Sequence, residues 1–305
     1  MSRIIVGVDA KEGSEDAVAF ASEFARKSGA EVTVAHAYPW RHLGFVGTQA
    51  YDEFLLKDSE ETLRRLSEPL RDLAGLQTRS LSEPSPARAL QELALELEAD
   101  LIVIGSGHTG RLGRVLPGST ADRLLHGSTR PVAIVPNGFR TAQPNGSGVI
   151  ACGWDGCPES EAALAAAEKL AQDTSSALLV IRTFEPASYQ YPPALGVDCA
   201  PLVQAKRRDA EEALAERVAQ LSSEIEAHGR LHEGLAAPEL IGVSNHVDLM
   251  VLGSRGYGPL QAVLLGGVSG EVIHAAGCPV IVVPNAAHGP VASLLGASVH
   301  VAARA

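Results

Sequence analysis

The feature that most constrains this chain is an internal repeat, because a sequence written twice builds the same unit twice. The stretch RIIVGVD at the start of the chain corresponds to VIACGWD, which begins at Val149. Further on, ADLIVIGSGHTG corresponds to VDLMVLGSRGYG, and RPVAIVPNG corresponds to CPVIVVPNA. We predict two domains of one fold, over residues 1–140 and 147–286, and a C-terminal tail over residues 287–305. The segment NGFRTAQPNGSG between the copies has the Gly, Pro and Asn content of a linker.

Within each copy, short apolar runs alternate with longer segments of helical periodicity. In the first copy the predicted strands are RIIVGVD, AEVTVAHAY, LQTRSL, DLIVIG and PVAIVP. DLIVIG is almost wholly apolar, which favours a central strand buried on both faces. Strands that alternate with helices imply a parallel sheet with right-handed crossovers. The sequence therefore predicts an α/β fold with two Rossmann-like, five-stranded parallel-sheet domains, in which the third strand of the second copy, near RLHEGL, is the weakest element.

Several helix ends can also be read from the sequence. We predict that the first helix has Ser14 as its N-cap and ends at Gly29. A long polar helix is expected over roughly residues 50–73, and a short one over residues 119–126. Since an unpaired last strand leaves an exposed sheet edge, pairing of PVAIVP with PVIVVP would cover both edges. We predict an intrachain pseudo-dimer with approximate two-fold symmetry.

Composition argues against several classes of partner. The net charge is −11 and no segment is rich in Lys and Arg, so we expect no nucleic-acid partner. The first apolar run is too short for a signal peptide, and no run approaches the ~18 apolar residues of a membrane span, so we expect no membrane association. The four cysteines lack CxxC or zinc spacing and are expected to be reduced thiols of a cytoplasmic protein.

The glycines after the fourth predicted strand raise the question of function. Gly105, Gly107 and Gly110 spell G-x-G-x-x-G. A dinucleotide fingerprint, however, occupies the first strand–helix turn and has an acidic residue about 20 residues later. Neither condition holds here, so we interpret the match as chance.

A different spacing is repeated in the two copies. Gly253 and Gly256 are followed, nine residues later, by Gly266, and Gly105 and His108 are followed at the same interval by Gly118. Glycine at a strand end lets the backbone approach a ligand, and the following helix N-terminus attracts anions. The pattern therefore predicts an anion site at the carboxyl edge of the sheet.

This arrangement resembles the universal stress protein family over both copies, roughly residues 3–136 and 149–284. Nucleotide-binding members carry G-x-x-G, nine residues, then G-S/T, with an Asp after the first strand and a closing Pro-Val-x-Val-Val-Pro strand. The resemblance implies an adenine nucleotide alpha hydrolase-like fold that binds ATP, AMP or ADP, with Mg²⁺ as the candidate accompanying ion. It also implies a role in stress response or signalling, and dimerisation, so a homodimer is expected in addition to the intrachain pair.

By position, the resemblance implies roles for residues in both copies. Asp9 and Asp155 would lie beside the adenosine part, and the backbone of Ala37 and Thr183 would meet adenine. Gly105 and Gly253 would face the ribose and first phosphates. The outer phosphates would meet Gly118, Ser119 and Thr120 in the first copy, and Gly266, Gly267, Val268 and Ser269 in the second.

Each copy departs from the family motif once. His108 stands where the second glycine belongs and could crowd the phosphates or contact them, whereas Gly256 keeps that position in the second copy. Gly267 stands where Ser or Thr belongs, although Ser269 could supply a hydroxyl. Whether one copy, both or neither binds nucleotide stays open at this point.

Other interpretations also stay open. The two aspartates could cap the first helices, and the glycines could serve tight turns. The chain has no G-x-S-x-G, H-E-x-x-H or P-loop motif and neither glycine loop contains Lys, so we predict a non-enzyme with at most slow ATPase activity and assign no catalytic or metal-binding residue. The alternative is a nucleotide-free dimerising scaffold for an unknown protein partner, and a third hypothesis is an adenylyl-transferring enzyme.

Overall fold

One continuous sheet of ten strands carries helices on both faces in the computed structural model of the chain. The structure describes residues 2–39, 48–107, 113–115, 117–141, 146–186, 200–254 and 267–284, with the backbone alone for residues 48–50. The predicted C-terminal tail lies outside the described residues.

The first copy follows the predicted order of strands and helices. Its elements are β1 (Arg3–Val8), α1 (Glu12–Ser28), β2 (Glu31–Tyr38), α2 (Thr48–Ser67), β3 (Gln77–Ser82), α3 (Pro86–Glu96), β4 (Leu101–Gly105), α4 (Ser119–Leu125) and β5 (Val132–Val135). A single 3₁₀ turn, Glu68–Leu70, follows α2, so the predicted long polar helix ends earlier than expected. Pro69 lies in that turn, and proline cannot continue the hydrogen bonding of an α-helix.

The second copy repeats this order. Its elements are β6 (Val149–Gly153), α5 (Pro158–Thr174), β7 (Ala177–Phe184), α6 (Ala200–Ala219), β8 (Ala227–Glu233), α7 (Ala236–Ser244), β9 (Leu249–Gly253), α8 (Gly267–Ile273) and β10 (Val280–Val283). The third strand of this copy, the weakest prediction, is therefore present as β8. The central strands β4 and β9 are buried along their apolar residues, as their composition predicts.

The strands run in the order β3-β2-β1-β4-β5-β10-β9-β6-β7-β8. Pairing is parallel within each copy and antiparallel between β5 and β10, where Ala133 lies opposite Ile281. An antiparallel pair of equivalent strands is the arrangement that a two-fold axis produces. The predicted fold class, two parallel-sheet α/β domains arranged as an intrachain pseudo-dimer, is confirmed.

The copies also meet on both faces of the sheet. On one face α1 contacts α5. On the other, Val115 donates its backbone N–H to the carbonyl of Ala276 at 2.9 Å, and Arg114 donates to the carbonyl of Ala275 at 2.8 Å. Arg114 and Val115, which precede α4, are thereby bonded to the residues that follow α8 in the other copy.

The start of α1 differs from the prediction. Lys11, and not Ser14, is its N-cap residue, and Ser14 is buried in the first turn. The physical reason is that the Ser14 hydroxyl is already hydrogen-bonded to Asp9. It donates to the Asp9 carboxylate and accepts the backbone N–H of Asp9. The predicted end is confirmed, because Gly29 adopts φ 69° and its N–H bonds the carbonyl of Ala25.

The described part of the linker is docked onto α1. The buried Asp16 carboxylate accepts backbone N–H groups from Gly138 at 2.8 Å and Arg140 at 3.0 Å. Between them, the ring of Phe139 packs edge-on against Phe20 with 5.8 Å between centroids. The linker therefore begins as a segment that is fixed onto α1 of the first copy.

Three of the four cysteines lie within the described residues, and all three are free thiols. Burial raises the pKa of Cys152 and raises that of Cys278 to about 12. Neither thiol is therefore reactive in the folded chain. Among the described helices, none combines the length and the apolar character that crossing a membrane requires.

Candidate functional site

A cleft opens at the carboxyl edge of the first copy's strands, and we call it the first cleft. Its volume is about 370 Å³, within the range of roughly 300–1,000 Å³ usual for small-molecule sites. The first cleft is lined by six of the residues that were predicted to contact a ligand: Asp9, Ala37, Gly105, Gly118, Ser119 and Thr120. Because β1, β2 and β4 run parallel, their carboxyl ends bring these residues to one edge of the sheet.

Asp9 lies in a tight turn between β1 and α1. Its Oδ1 accepts the backbone N–H of Lys11 at 3.0 Å and the hydroxyl of Ser14 at 2.9 Å. Its Oδ2 lies 3.6 Å from the Lys11 ammonium, and both side chains are more than half exposed. One carboxylate oxygen of Asp9 thus fixes the turn before α1, and the other forms an exposed ion pair with Lys11. Asp9 does not cap α1, because the N-cap residue is Lys11 and no side chain caps this helix.

Gly105 ends β4 where the first turn of α1 crosses it. A Cβ on Gly105 would overlap the carbonyl oxygen of Gly13, and a Cβ on Gly13 would lie 2.6 Å from the carbonyl oxygen of Ser106. Two backbones therefore touch at this point, which only glycine allows. Packing alone requires glycine at this position, whether or not a ligand binds.

Gly118 is in a different situation. It precedes α4 with extended backbone angles, φ −88° and ψ 177°, which any residue adopts. The closest atom to a Cβ built there would be the Cα of Gly107, at 3.6 Å, an ordinary contact. Neither the backbone nor the described neighbours require glycine, and its absent side chain leaves space in the cleft.

The second copy has an equivalent cleft, which we call the second cleft, of about 120 Å³. The predicted residues Asp155, Thr183, Gly253, Val268 and Ser269 line it. Gly253 repeats the packing of Gly105, because a Cβ there would overlap the carbonyl oxygen of Glu159 in the first turn of α5. Gly267 begins α8 with open space around it and is not part of the lining.

Asp155 repeats the turn of Asp9. Its Oδ1 accepts the backbone N–H of Cys157 at 3.0 Å, and its own N–H donates to Ser160 Oγ at 3.3 Å. Burial acts to raise the pKa of Asp155, but hydrogen bonds from Cys157 and Ser160 outweigh it and hold the pKa below its ordinary value. The carboxylate therefore stays ionised at neutral pH.

Three predicted residues, His108, Gly256 and Gly266, lie outside the described residues. All the others except Gly267 line one of the two clefts, as the shared carboxyl edge predicts.

Sequence reasoning missed the side chains that differ between the clefts. Lys11 lines the first cleft, and Cys157 and Glu159 line the second. All three lie just after the predicted aspartates, at the start of α1 or α5. Their closeness to Asp9 and Asp155 along the chain was the sequence signal that could have identified them as lining residues.

Trp154 and Arg182 form a second difference between the copies. Trp154 is 7% exposed, so core packing dominates, yet it also lines the second cleft. Its Nε1 donates to Glu161 at 2.7 Å, and the guanidinium carbon of Arg182 lies 5.1 Å from the centroid of its ring. Trp154, with Arg182 over its ring, occupies the position that Val8 has in the first copy.

Together, these groups suit a polar, anionic ligand in the first cleft. The hydroxyls of Ser119 and Thr120 and the ammonium of Lys11 can donate to anionic oxygens, and the Asp9 carboxylate can accept a ligand hydroxyl. The apolar wall, with Ala37 and Leu90, suits a planar ring.

Comparison with known proteins gives consistent matches. The model of the universal stress protein family matches residues 1–136 and 148–284. A universal stress protein of Mycolicibacterium smegmatis is 28% identical over 291 residues, which cover 92% of this chain and 96% of that protein. The universal stress protein Rv2319c of Mycobacterium tuberculosis is 28% identical over 298 residues, which cover 92% of this chain and 99% of that protein. The crystal structure of a universal stress protein from Archaeoglobus fulgidus has a TM-score of 0.67 at 19% identity, covers 93% of this chain and 98% of its own, and is a likeness of fold.

Proposed function

This chain belongs to the universal stress protein family, and from that premise we propose that it binds an adenine nucleotide, without designed turnover, in stress response or signalling. The nucleotide is ATP, AMP or ADP, and Mg²⁺ accompanies the phosphates of the longer ones. We further propose a cytoplasmic protein that forms a homodimer in addition to its intrachain pair.

The observation that carries the proposal is the first cleft, where six predicted residues meet around a volume suited to a small molecule. Gly118 adds a specific argument. A residue that could carry a Cβ without conflict is nevertheless glycine, at the point where the resemblance implies outer phosphates. A phosphate held against the backbone explains a glycine that the protein's own packing does not require.

The absence of turnover is proposed from the chemistry of the lining. One carboxylate oxygen of Asp9 accepts hydrogen bonds within the turn, and the other forms an ion pair with the Lys11 ammonium. Neither Asp9 nor Lys11 is therefore positioned as a general base. ATP hydrolysis would need a positioned water and stabilisation of the transferred phosphoryl group.

The proposal is tested on the full chain after bound nucleotide has been stripped. Thermal unfolding is followed with ATP, AMP and GTP, with and without Mg²⁺, and ADP formation is assayed over hours. We expect a rise in Tm with the adenine nucleotides, a smaller rise with GTP, and no ADP beyond the rate of a Gly118→Val variant. No shift with any nucleotide would favour the nucleotide-free scaffold instead, and Mg²⁺-dependent release of pyrophosphate would favour an adenylyl-transferring enzyme.

A further inference from the structure

A third cavity lies between the two copies, and we call it the interdomain cavity. One side of it is formed by α1 of the first copy and by the docked linker, through Phe20, Phe24 and Phe139. The other side belongs to the second copy, where the amino ends of β6 and β9 and the residues before β10 contribute, among others, Leu249 and Pro279. Its lining shares no described residue with either cleft, so it is a separate site.

The size and the aromatic wall of the cavity restrict what can occupy it. The volume is about 130 Å³, close to the roughly 150 Å³ of an apolar cavity that takes up benzene. The ring centroids of Phe20 and Phe24 lie 6.2 Å apart, and those of Phe20 and Phe139 lie 5.8 Å apart. A compact ligand therefore meets a cluster of three aromatic rings, whose π electrons attract a cation.

The carboxylate of Asp248 lies in the same wall and lacks a counter-charge within the described residues. Its Oδ2 accepts the backbone N–H of Gly148 at 2.7 Å, and its Oδ1 is buried without a hydrogen-bond partner. The ammonium of Lys27, which also lines the cavity, is paired with Glu23 at 2.8 Å. The described lining thus has two carboxylates and one ammonium, and the excess negative charge is at Asp248.

Neighbouring groups do not neutralise this carboxylate. The thiol of Cys278 lines the cavity, and burial together with the charge of Asp248 raises its pKa to about 12, so it stays neutral. The hydroxyls of Thr174 and Ser176 are bonded to each other at 2.9 Å. The four linker residues that lie outside the described part, 142–145, are Ala, Gln, Pro and Asn and bring no charge.

We propose that the interdomain cavity binds a small organic ammonium ion, an alkylated amine of about the size of choline. The alkyl groups pack against the apolar wall, and the positive charge is balanced by Asp248 and attracted by the three phenylalanine rings. A metal ion would leave the apolar wall unfilled, and a neutral ligand would leave the carboxylate without a counter-charge. This inference does not depend on nucleotide binding.

Two ligands of one shape test the proposal on the unmodified chain. Choline carries a quaternary ammonium, and 3,3-dimethyl-1-butanol has carbon in place of the nitrogen and is neutral. Binding is followed at constant ionic strength by the line width of the methyl resonance of each ligand. Choline is expected to bind about fivefold more tightly than the alcohol, because only choline gains from the carboxylate and the rings.

A charge-removing variant locates the site. Asp248→Asn keeps an oxygen that can accept the N–H of Gly148, so choline affinity is expected to fall about fivefold while that of the alcohol is unchanged. The matched control is Asp100→Asn. Asp100 directly precedes β4 as Asp248 precedes β9, its Oδ2 accepts the N–H of Arg3 at 2.9 Å, and it does not line this cavity. The control is expected to bind choline as the wild type does.

A second variant tests the aromatic wall without changing the charge. Phe139→Leu keeps an apolar side chain on the linker and removes one ring, so choline is expected to bind about threefold more weakly.

The contrary outcomes are equally definite. Equal affinity for choline and the alcohol, or no binding of either by the wild type, would overturn the proposal even if a variant failed to fold. Equal choline affinity in Asp248→Asn and Asp100→Asn would place the cation elsewhere on the chain and would also overturn it. None of these results bears on nucleotide binding, which the ATP titration tests separately.

Discussion

At the scale of single residues, the glycines of one sequence pattern turn out to serve different purposes. Gly105 and Gly253 lie where a strand end touches the first turn of a helix, and packing requires them. Gly118 has ordinary backbone angles and room for a Cβ. The spacing located all three, but only contacts between distant parts of the chain distinguish their roles.

This distinction predicts opposite effects of the same substitution. Gly105→Ala forces a methyl group against the carbonyl oxygen of Gly13, which cannot rotate away, so we expect a loss of about 3 kcal/mol or more in unfolding free energy. Gly118→Ala is expected to change that free energy by less than about 0.5 kcal/mol. Urea unfolding measures both, and similar losses for the two variants would contradict the assignment.

His36 predicts a pH dependence of stability. Its Nδ1 lies 2.9 Å from the Oγ of the fully buried Ser59. Burial lowers the pKa of His36, although the carboxylates of Asp58 and Asp9 act to raise it. The unfolded chain therefore binds a proton more readily than the folded one, and stability is lost as pH falls from above the ordinary pKa of about 6.5.

The measurement is urea unfolding between pH 8 and pH 5, compared with His36→Gln. The variant keeps a polar side chain near Ser59 and removes the titration, so its stability is expected to fall less steeply with decreasing pH. The other histidines are common to both proteins, and the difference between the two profiles isolates His36. Parallel profiles would show that this histidine does not contribute.

At the scale of elements, the sequence predicted most of what the structure has. Apolar runs gave the central strands, because buried parallel strands leave a compositional signal. β8 was the weakest prediction because it is an edge strand with no buried residue. The start of α1 was missed because the Ser14 hydroxyl bonds Asp9 instead of capping the helix. The docking of the linker onto α1 was missed because nothing in the sequence around Asp16 indicates its two partners, Gly138 and Arg140. Both are more than 100 residues away along the chain.

The docked linker makes its own prediction. Asp16→Ala removes the acceptor of two backbone N–H groups, those of Gly138 and Arg140, and is expected to cost about 2 kcal/mol. The control is Asp72→Asn, which alters an exposed pair with Arg26 and should cost less than about 0.5 kcal/mol. Urea unfolding compares them, and an Asp16→Ala protein as stable as the control would mean that the linker is not held by this carboxylate.

At the scale of the whole molecule, the pairing of β5 with β10 joins two repeats into one sheet. The repeat and the edge-strand argument were enough to predict this pairing. The difference between the two clefts was not predictable, because it depends on which side chains near the start of α1 and α5 face the ligand edge.

Continuity of the sheet predicts cooperative unfolding. Because β5 pairs with β10 and α1 contacts α5, we expect a single calorimetric transition for the full chain. Leu164→Ala, a cavity in the core of the second copy, should lower the temperature of that one transition without splitting it. Two separated transitions would show that the copies unfold independently.

The central claim is that the first cleft binds an adenine nucleotide. The most direct test is calorimetric titration with ATP and Mg²⁺ of the wild type and of Gly118→Val, both stripped of bound nucleotide. A valine at this position fills the space that glycine leaves, while the fold is expected to tolerate it. The account predicts that the wild type binds ATP and that the variant binds it at least tenfold more weakly in the first cleft, with an unchanged Tm in the absence of nucleotide. Equal binding by both proteins would contradict it.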